Sequence, residues 1–499
     1  MATSDSPPNA WRPTQVQLFS ALAIYFAIQV ISRTLLSPST HLDESEQLVF
    51  TQQWAWGYGP QPPLYYWIQK IFFSAFGVSV FSLALFKNIL LFLIYALAYW
   101  NARFITRSHG CGLVAAVSVL FLPQISWESQ RDITHSVLAT VFSLAALGLF
   151  CRAVEFRKIS DYLALGVCIG LGCLSKYNFI LFLAGLLLAA LTLKNPRATV
   201  LNWRMLLAAT IGVLILLPHG LWALNHPHLA SATSSKLAIR HDEPWLGSTA
   251  KGLKSLFLAS IVFILPVVVI TPLFFLHAKK SPDEIPVRCD FVRLMIWTLA
   301  FIMVLVVLCV MFVHVTNFRG RWFQPILIVV PILIAVLLRQ QLEARRLKWL
   351  VGFSAFVAIA LLIALPSRII FGEKLHHEEP LHFPYAALAD QMKNDLAPGT
   401  VIVTEDDLLA GNLRLALQPR LVVTSEIMDE FAPGAQNLAF AWNPKKNEVR
   451  PQALTDFAEQ LGSVDWSQAK YVSADYYYFR NKQGTMGYIL IDRNKNKNP

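Results

Sequence analysis

Residues 294–313 read LMIWTLAFIMVLVVLCVMFV, an unbroken run without a charged side chain. A helix of about 20 apolar residues spans the hydrocarbon core of a bilayer, so this run predicts a transmembrane helix. The whole chain shares this character, because 55% of its 499 residues are hydrophobic and only 15% are charged. One soluble core cannot bury that much apolar surface, and the composition therefore predicts an integral membrane protein.

Apolar runs recur along the first 365 residues and predict an α-helical polytopic protein with about eleven transmembrane spans. The runs lie at 16–36, 80–100, 111–123, 134–151, 160–174, 177–193, 205–224, 254–276, 294–313, 322–338 and 347–365. The N-terminus lacks the basic segment and cleavage site of a secretory signal, so the first run is expected to remain as a helix. Lys and Arg concentrate in every second connection, as in loops retained in the cytoplasm. With a cytoplasmic N-terminus, residues 37–66 and the C-terminal segment are expected outside.

The chain becomes more charged after residue 365, and short strand-like runs alternate there with helical patterns. Strands are predicted at 400–405, 420–426, 437–443 and 487–493, and helices at 383–396, 407–416 and 453–461. This alternation predicts a small extracytoplasmic α/β domain over 366–499, following a transmembrane module over 1–365. All six cysteines precede residue 366, so the domain is expected to fold without disulfides. The net charge of +11 is interpreted as a topology signal, and no nucleic-acid partner is predicted.

The first outer segment carries a candidate catalytic acid. Residues 41–67 read HLDESEQLVFTQQWAWGYGPQPPLYYW, with Asp43 and Glu44 directly after the first span. The aromatic residues that follow suit helices lying in the plane of the membrane interface. Ionisable groups at the membrane edge are costly and often mark a substrate path. The alternative is that Asp43 only stabilises the N-terminus of an interfacial helix.

Three further motifs place charged residues at expected outer ends of spans. They are SWESQRDITHS at 126–136, with Arg131, Asp132 and His135; GLGCLSKYN at 170–178, with Lys176; and HVTNFRGRWFQP at 314–325, with Arg319 and Arg321. Arginine suits an oxygen-rich phosphate. The structural alternatives are a salt-bridged helix start for the first motif and a lysine that snorkels to lipid head groups for the second.

Together these motifs supply a carboxylate base, cations and an aromatic shelf. The set fits displacement of a lipid phosphate by an acceptor hydroxyl, in which a base takes the proton and fixed positive charge stabilises the leaving phosphate. A transporter or flippase for a lipid-linked sugar would need polar or broken helices near the membrane midplane, where ionisable residues are nearly absent. A polysaccharide ligase or polymerase is a further alternative.

The order of the motifs, with PPLYYW at 62–67 and PHGLWALN at 218–225, resembles the GT-C glycosyltransferases of the protein-mannosyltransferase/ArnT superfamily. The bacterial RgtA/B/C/D-like branch is the most similar. The resemblance implies inverting transfer from a polyprenyl-phosphate-sugar donor to a lipid or glycan acceptor such as lipid A. It places the reaction on the outer face of the bacterial inner membrane, with the C-terminal domain in the periplasm.

The resemblance also assigns residues to roles. The catalytic positions are Asp43, Glu44 and Asp132, and the donor phosphate-binding positions are Lys176, Arg319 and Arg321, with Arg321 expected as the direct contact. The expected substrate-lining residues are Gln61, Tyr65, Arg131, His135, His219 and Asn225. ArnT-like sequences carry Lys where this chain has Gln61, which leaves the phosphate to the three cations. No cofactor is firmly predicted, although the three carboxylates are suited to a divalent cation.

Overall fold

A computed structural model describes residues 13–231, 244–278, 285, 287–444, 451–461 and 464–492. The expectation that the N-terminus lacks a secretory signal depends on residues 1–12, which lie outside these ranges. The chain forms two compact units. The helical unit comprises the described residues up to Ala27, Ala55–Tyr65 and Lys87–Leu361, and the sheet unit comprises Ile28–Trp54, Tyr66–Phe86 and the described residues from Leu362 onward.

Helices make up the chain before the sheet. They are α1 (Gln15–Leu36), α2 (Leu42–Phe50), α3 (Leu64–Phe76), α4 (Val80–Thr106), α5 (His109–Val119), a π-helical turn (Gln124–Glu128), α6 (Ser129–Arg131), α7 (His135–Phe156), α8 (Ile159–Ser175), α9 (Phe179–Thr192), α10 (Lys194–Val200), α11 (Trp203–Asn225), α12 (Pro227–Ser231), α13 (Trp245–Leu273), α14 (Cys289–Val313), a 3₁₀ turn (Gly320–Phe323), α15 (Gln324–Leu327), α16 (Val330–Leu337), a 3₁₀ turn (Arg339–Gln341) and α17 (Ala344–Ile370).

Seven of these helices are long and apolar enough to cross a membrane, namely α1, α4, α7, α11, α13, α14 and α17. Two broken pairs also qualify, α5 with Gln124–Arg131, bent by 64°, and Gly320–Leu327 with α16, bent by 49°. The described chain thus has up to nine spans when each pair counts as one. The other two predicted spans coincide with α8 and α9, which are shorter at 17 and 14 residues.

Small residues allow close helix packing in the helical unit. A Cβ atom added at Gly166 of α8 would lie 2.5 Å from the carbonyl oxygen of Ala208 in α11. Contacts of this kind are typical of membrane helices, where small side chains let two backbones approach. The packing fixes the end of α8, where Lys176 follows.

The sheet unit contains a five-stranded sheet in the order β2-β1-β3-β5-β4. Its strands are β1 (Val401–Thr404), β2 (Val422–Thr424), β3 (Asn437–Trp442), β4 (Lys470–Asp475) and β5 (Gln483–Asp492). β1 pairs in parallel with β2 and β3, whereas β5 runs antiparallel to β3 and β4. The predicted α/β domain is confirmed, because four strands coincide with predicted runs. Its helices are α18 (Tyr385–Lys393), α19 (Asp407–Ala416), α20 (Met428–Phe431) and α21 (Gln452–Leu461).

Helix α2 packs on α19 inside the sheet unit. A Cβ atom added at Gly411 of α19 would lie 2.4 Å from the Cα atom of Ser45, so only glycine permits this approach. Leu48 of α2 is buried in a cluster with Phe73 and Leu83. The helix that carries Asp43 is therefore held on two sides by its own unit.

Candidate active site

The first two candidate acids differ in their surroundings. Asp43 and Glu44 lie in the first turn of α2, where the helix dipole favours a negative charge. Asp43 is partly exposed, whereas only 1% of Glu44 is accessible. Neighbouring carboxylates in such different environments are expected to do different work.

Glu44 is held in place by Arg33. The Nη2 atom of Arg33 lies 2.7 Å from Oε2 of Glu44, and its Nε atom lies 3.4 Å from Oε1. Arg33 also donates to the carbonyl oxygens of Ser37 and Ser39, while Glu44 accepts from the backbone N–H of His41. This network fixes the turn between α1 and α2 and engages both oxygens of Glu44.

The same turn is bound to the segment that follows α17 in the sheet unit. The hydroxyl of Ser37 donates to the carbonyl oxygen of Leu381, and the hydroxyl of Ser39 donates to that of Phe383, each at 2.7 Å. All four residues are buried. The C-terminal part of the chain thereby sets the position of α2.

Asp132 lies at the end of an irregular helix in the helical unit. The π-helical turn Gln124–Glu128 and the short helix α6 precede it, and π-helical turns are frequent at functional sites. Arg131 pairs with Glu128 at 3.2 Å. That pair is the salt-bridged helix start considered as an alternative, and it gives Arg131 a structural role beside the partly buried Asp132.

Lys176 follows α8 directly and is partly buried. Its Nζ atom donates to the Oγ atom of Ser136 at 2.6 Å. Ser136 lies in the first turn of α7, which begins shortly after Asp132. The neighbouring His135 is buried, with its ring centroid 5.1 Å from that of Tyr65. The lysine is therefore anchored at the start of the helix that follows the second acidic position.

The arginine-bearing segment is bound to both of these regions. The side-chain amide of Gln324 donates to the carbonyl oxygen of Gln124 at 2.7 Å and to Oγ of Ser129 at 3.0 Å. The side-chain amide of Asn178 donates to the carbonyl oxygen of Trp322 at 2.9 Å. These bonds join the turn before the second acid, the loop after α8 and the segment that carries the two arginines.

The two arginines are presented differently. Arg319 is exposed on extended backbone, with φ −96° and ψ 135°. Arg321 lies within the 3₁₀ turn that follows and is partly buried. Between them, a Cβ atom added at Gly320 would lie 2.6 Å from Nε2 of Gln124, so glycine allows the segment to approach the π-helical turn.

His219 bridges two loops of the helical unit. Its Nδ1 atom lies 2.8 Å from the carbonyl oxygen of Trp56, and its Nε2 atom lies 3.0 Å from the hydroxyl of Tyr177. A Cβ atom added at Gly57 would lie 2.0 Å from the ring of Trp222. The motif at 218–225 thus holds the loop that leads to the PPLYYW motif.

The remaining predicted lining residues differ in how far their side chains are buried. Tyr65 is buried against His135. Gln61 is partly buried and Asn225 is exposed at the end of α11. Their side chains make no hydrogen bond with the described residues, so nothing in the fold accounts for either amide.

Lys87 is a buried cation within the predicted span at 80–100, and the sequence motifs gave it no role. It is 2% exposed, and its Nζ atom donates to the carbonyl oxygen of Gln130 at 3.3 Å. The side-chain amide of Gln130 donates in turn to Oδ1 of Asn88 at 2.8 Å. Lys87 therefore supports the segment just before Asp132. The sequence signal for this role was a lysine in the second turn of a predicted span, where ionisable residues are rare and usually functional.

The carboxylates show no arrangement suited to a metal ion. Among the residues that the structure describes, no three His, Cys, Asp or Glu side chains are grouped so as to hold one. Both oxygens of Glu44 are engaged as described above.

Comparison with known proteins identifies the family. A model of the dolichyl-phosphate-mannose-protein mannosyltransferase family matches residues 60–222. Lipopolysaccharide core galacturonosyltransferase RgtB of Rhizobium johnstonii is 31% identical over 95% of this chain and 97% of its own. RgtA of the same organism is 32% identical over 94% and 96%. The chain belongs to the RgtA/RgtB branch of the GT-C glycosyltransferases.

A solved structure of ArnT from Cupriavidus metallidurans bound to undecaprenyl phosphate matches the fold of this Rgt-branch chain. The TM-score is 0.58 with 14% identity, over 95% of this chain and 97% of that one. The predicted GT-C fold and family are thereby confirmed. This Rgt-branch protein is a membrane glycosyltransferase.

Proposed function

We propose that this Rgt-branch enzyme transfers galacturonate from a polyprenyl phosphate to a hydroxyl group of a lipopolysaccharide core acceptor. Two relatives that match nearly the whole chain are named as galacturonosyltransferases of this core. A structure with the same fold holds undecaprenyl phosphate. The reaction is proposed to take place on the outer face of the bacterial inner membrane, in agreement with the distribution of Lys and Arg along the sequence.

One observation carries the proposal. In the helical unit, hydrogen bonds connect the segments of Asp132, Lys176 and Arg321, although these residues are far apart in sequence. Fixed cations beside a carboxylate suit a reaction in which a phosphate gains negative charge as it leaves. A structural role alone would not require two cations on linked segments.

The proposed mechanism assigns one task to each group. Asp43 accepts the proton of the acceptor hydroxyl, and the resulting oxygen nucleophile attacks the anomeric carbon of the donor sugar. The bond between that carbon and the phosphate oxygen breaks, and polyprenyl phosphate departs with the bonding electrons. Lys176 and Arg321 stabilise the departing phosphate, and Asp132 orients a substrate. Attack opposite the leaving group inverts the anomeric carbon.

In this proposal Glu44 and Arg319 have smaller roles than Asp43 and Arg321. The buried ion pair with Arg33 supports a role for Glu44 in holding α2. Arg319 is exposed and remains a secondary candidate beside Arg321. The transporter alternative is set aside, because relatives that cover the whole chain are named as transferases.

A donor comparison tests the proposal. The purified protein would receive a lipopolysaccharide core acceptor and undecaprenyl phosphate labelled in either a galacturonosyl or an aminoarabinosyl group. We expect label in the acceptor lipid from the galacturonosyl donor only. Transfer from the aminoarabinosyl donor alone would contradict the sugar assignment. Transfer from neither donor, by protein shown to be folded and with each of several core acceptors, would contradict the donor class.

A further inference from the structure

Two cations of the sheet unit converge on a single glutamine. The Nζ atom of Lys70, on α3, donates to the backbone carbonyl oxygen of Gln52 at 3.1 Å. The Nη1 atom of Arg414, on α19, donates to Oε1 of the same residue at 2.7 Å. The side-chain amide of Gln52 donates to the carbonyl oxygens of Val49 and Val422 at 2.8 and 2.6 Å. A rigid residue thus holds both cations.

This pair of cations has no counter-charge of its own. Neither Lys70 nor Arg414 forms an ion pair with any Asp or Glu in the described ranges. The Nε atom of Arg414 is closed off from solvent and makes no hydrogen bond with a described residue. Burial and the charge of Arg414 lower the pKa of Lys70, and burial lowers that of Arg414.

Such an arrangement costs folding free energy, because like charges repel and desolvation penalises both. Arg414 would hold Gln52 equally well if position 70 were a neutral residue. The lysine charge at this position therefore indicates that the pair meets an anion supplied from outside the chain.

An exposed tryptophan beside Lys70 indicates which kind of anion would bind. Trp54 is 60% exposed, and Lys70 lies with its Nζ atom 5.2 Å from the centre of the Trp54 ring. Tryptophan favours the boundary between hydrocarbon and water, where lipid head groups lie. Phe73, about one turn further along α3, is buried with Leu48 and Leu83, and this cluster anchors α3 in its unit.

We propose that Lys70, Arg414 and Trp54 form a binding site for the phosphate of an anionic lipid head group. The two cations supply N–H donors and positive charge to the phosphate, and the indole lies beside the glycerol and acyl region. This site belongs to the sheet unit and does not depend on the proposed sugar transfer. Lys176 and Arg321, the proposed contacts of the donor phosphate, belong to the helical unit.

Lipid binding by the full chain in detergent tests the site, with native mass spectrometry or tryptophan quenching as the readout. The probes are phosphatidylglycerol, phosphatidylcholine and inorganic phosphate at matched concentrations. We expect selective binding of phosphatidylglycerol, weakened about fivefold in Lys70→Gln, since one cation near an anionic lipid surface contributes on the order of 1 kcal/mol. Lys70→Arg should retain it, and added salt should weaken it.

Lys393→Gln is the matched control, because Lys393 is an exposed lysine on α18 of the same unit. An equal loss in Lys393→Gln would show a general charge effect and overturn the site. Equal binding of phosphatidylcholine would also overturn it, and saturation by inorganic phosphate alone would overturn the assignment to a lipid. If Lys70→Gln fails to fold, Trp54→Ala provides the second variant, and unchanged phosphatidylglycerol binding in it would contradict the proposal.

Discussion

The side-chain amide of Gln324 donates to the backbone carbonyl oxygen of Gln124 at 2.7 Å. Gln124 opens the π-helical turn that precedes Asp132, and Gln324 follows the two arginines of the RGRWFQP motif. This bond between residues 200 positions apart ties the proposed phosphate-binding segment to the second acidic position. The bond fixes the position of the arginine-bearing segment against the π-helical turn within the helical unit.

Gln324→Leu is therefore expected to impair both stability and catalysis. The glutamine is fully buried, and its loss removes the amide that donates to Oγ of Ser129 and to the carbonyl oxygen of Gln124, although the hydroxyl of Ser129 still donates to that carbonyl. We expect a cost of about 1 kcal/mol from the lost hydrogen bonds. Thermal unfolding in detergent and kcat should both fall. Gln341→Leu makes the same chemical change at a partly buried position and should shift stability by no more than about 0.5 kcal/mol. Equal effects of the two variants would remove the special role of Gln324.

Glu44→Gln is expected to destabilise the protein strongly. Breaking a buried ion pair leaves an uncompensated charge, here Arg33, and costs about 3–5 kcal/mol. Asp43→Asn, one residue away and partly exposed, should change the unfolding free energy by about 0.5 kcal/mol or less. Chemical denaturation of both variants measures the difference. A Glu44→Gln protein as stable as the wild type would contradict the structural role of Glu44.

Lys176→Ala and Arg321→Ala are expected to lower the rate of transfer more than the affinity for the donor. A group that stabilises charge developing on the leaving phosphate acts mainly in the transition state. Single-turnover rates and donor titrations separate the two quantities. Donor affinity that falls in proportion to the rate would show that the cation only anchors the donor.

The topology gives a prediction that is independent of catalysis. A reporter that is active only outside the cytoplasm should be active when fused after Pro499 and silent when fused after Arg345. The basic connection that contains Arg345 is expected in the cytoplasm. The opposite pattern would place every proposed site residue on the wrong face of the membrane.

Much of the fold follows from apolar length and strand pattern. All eleven predicted spans coincide with apolar helical elements, because a long apolar run is stable in a bilayer only as a helix. The sequence could not predict that two of these spans are broken into bent helix pairs, since the breaks depend on local hydrogen bonds. Strand β4 was missed because its residues, KYVSAD, are largely exposed at the sheet edge and show no buried run.

The candidate site was less predictable. Sequence motifs located Asp132, Lys176 and Arg321, and the structure links their segments. The ion pair of Glu44 could not be predicted, because its partner Arg33 lies in an apolar helix with no motif around it. The partners of Lys87 and Gln324 lie far away in sequence, so their supporting roles could not be predicted from the local pattern.

The most direct test of the proposed mechanism is the turnover of Asp43→Asn in the galacturonosyl transfer assay. If Asp43 takes the proton from the acceptor hydroxyl, kcat should fall by about 100-fold or more, the usual contribution of a positioned base. The same preparation should unfold like the wild type and bind the donor with unchanged affinity. Turnover near the wild-type rate in a folded Asp43→Asn protein would contradict the mechanism.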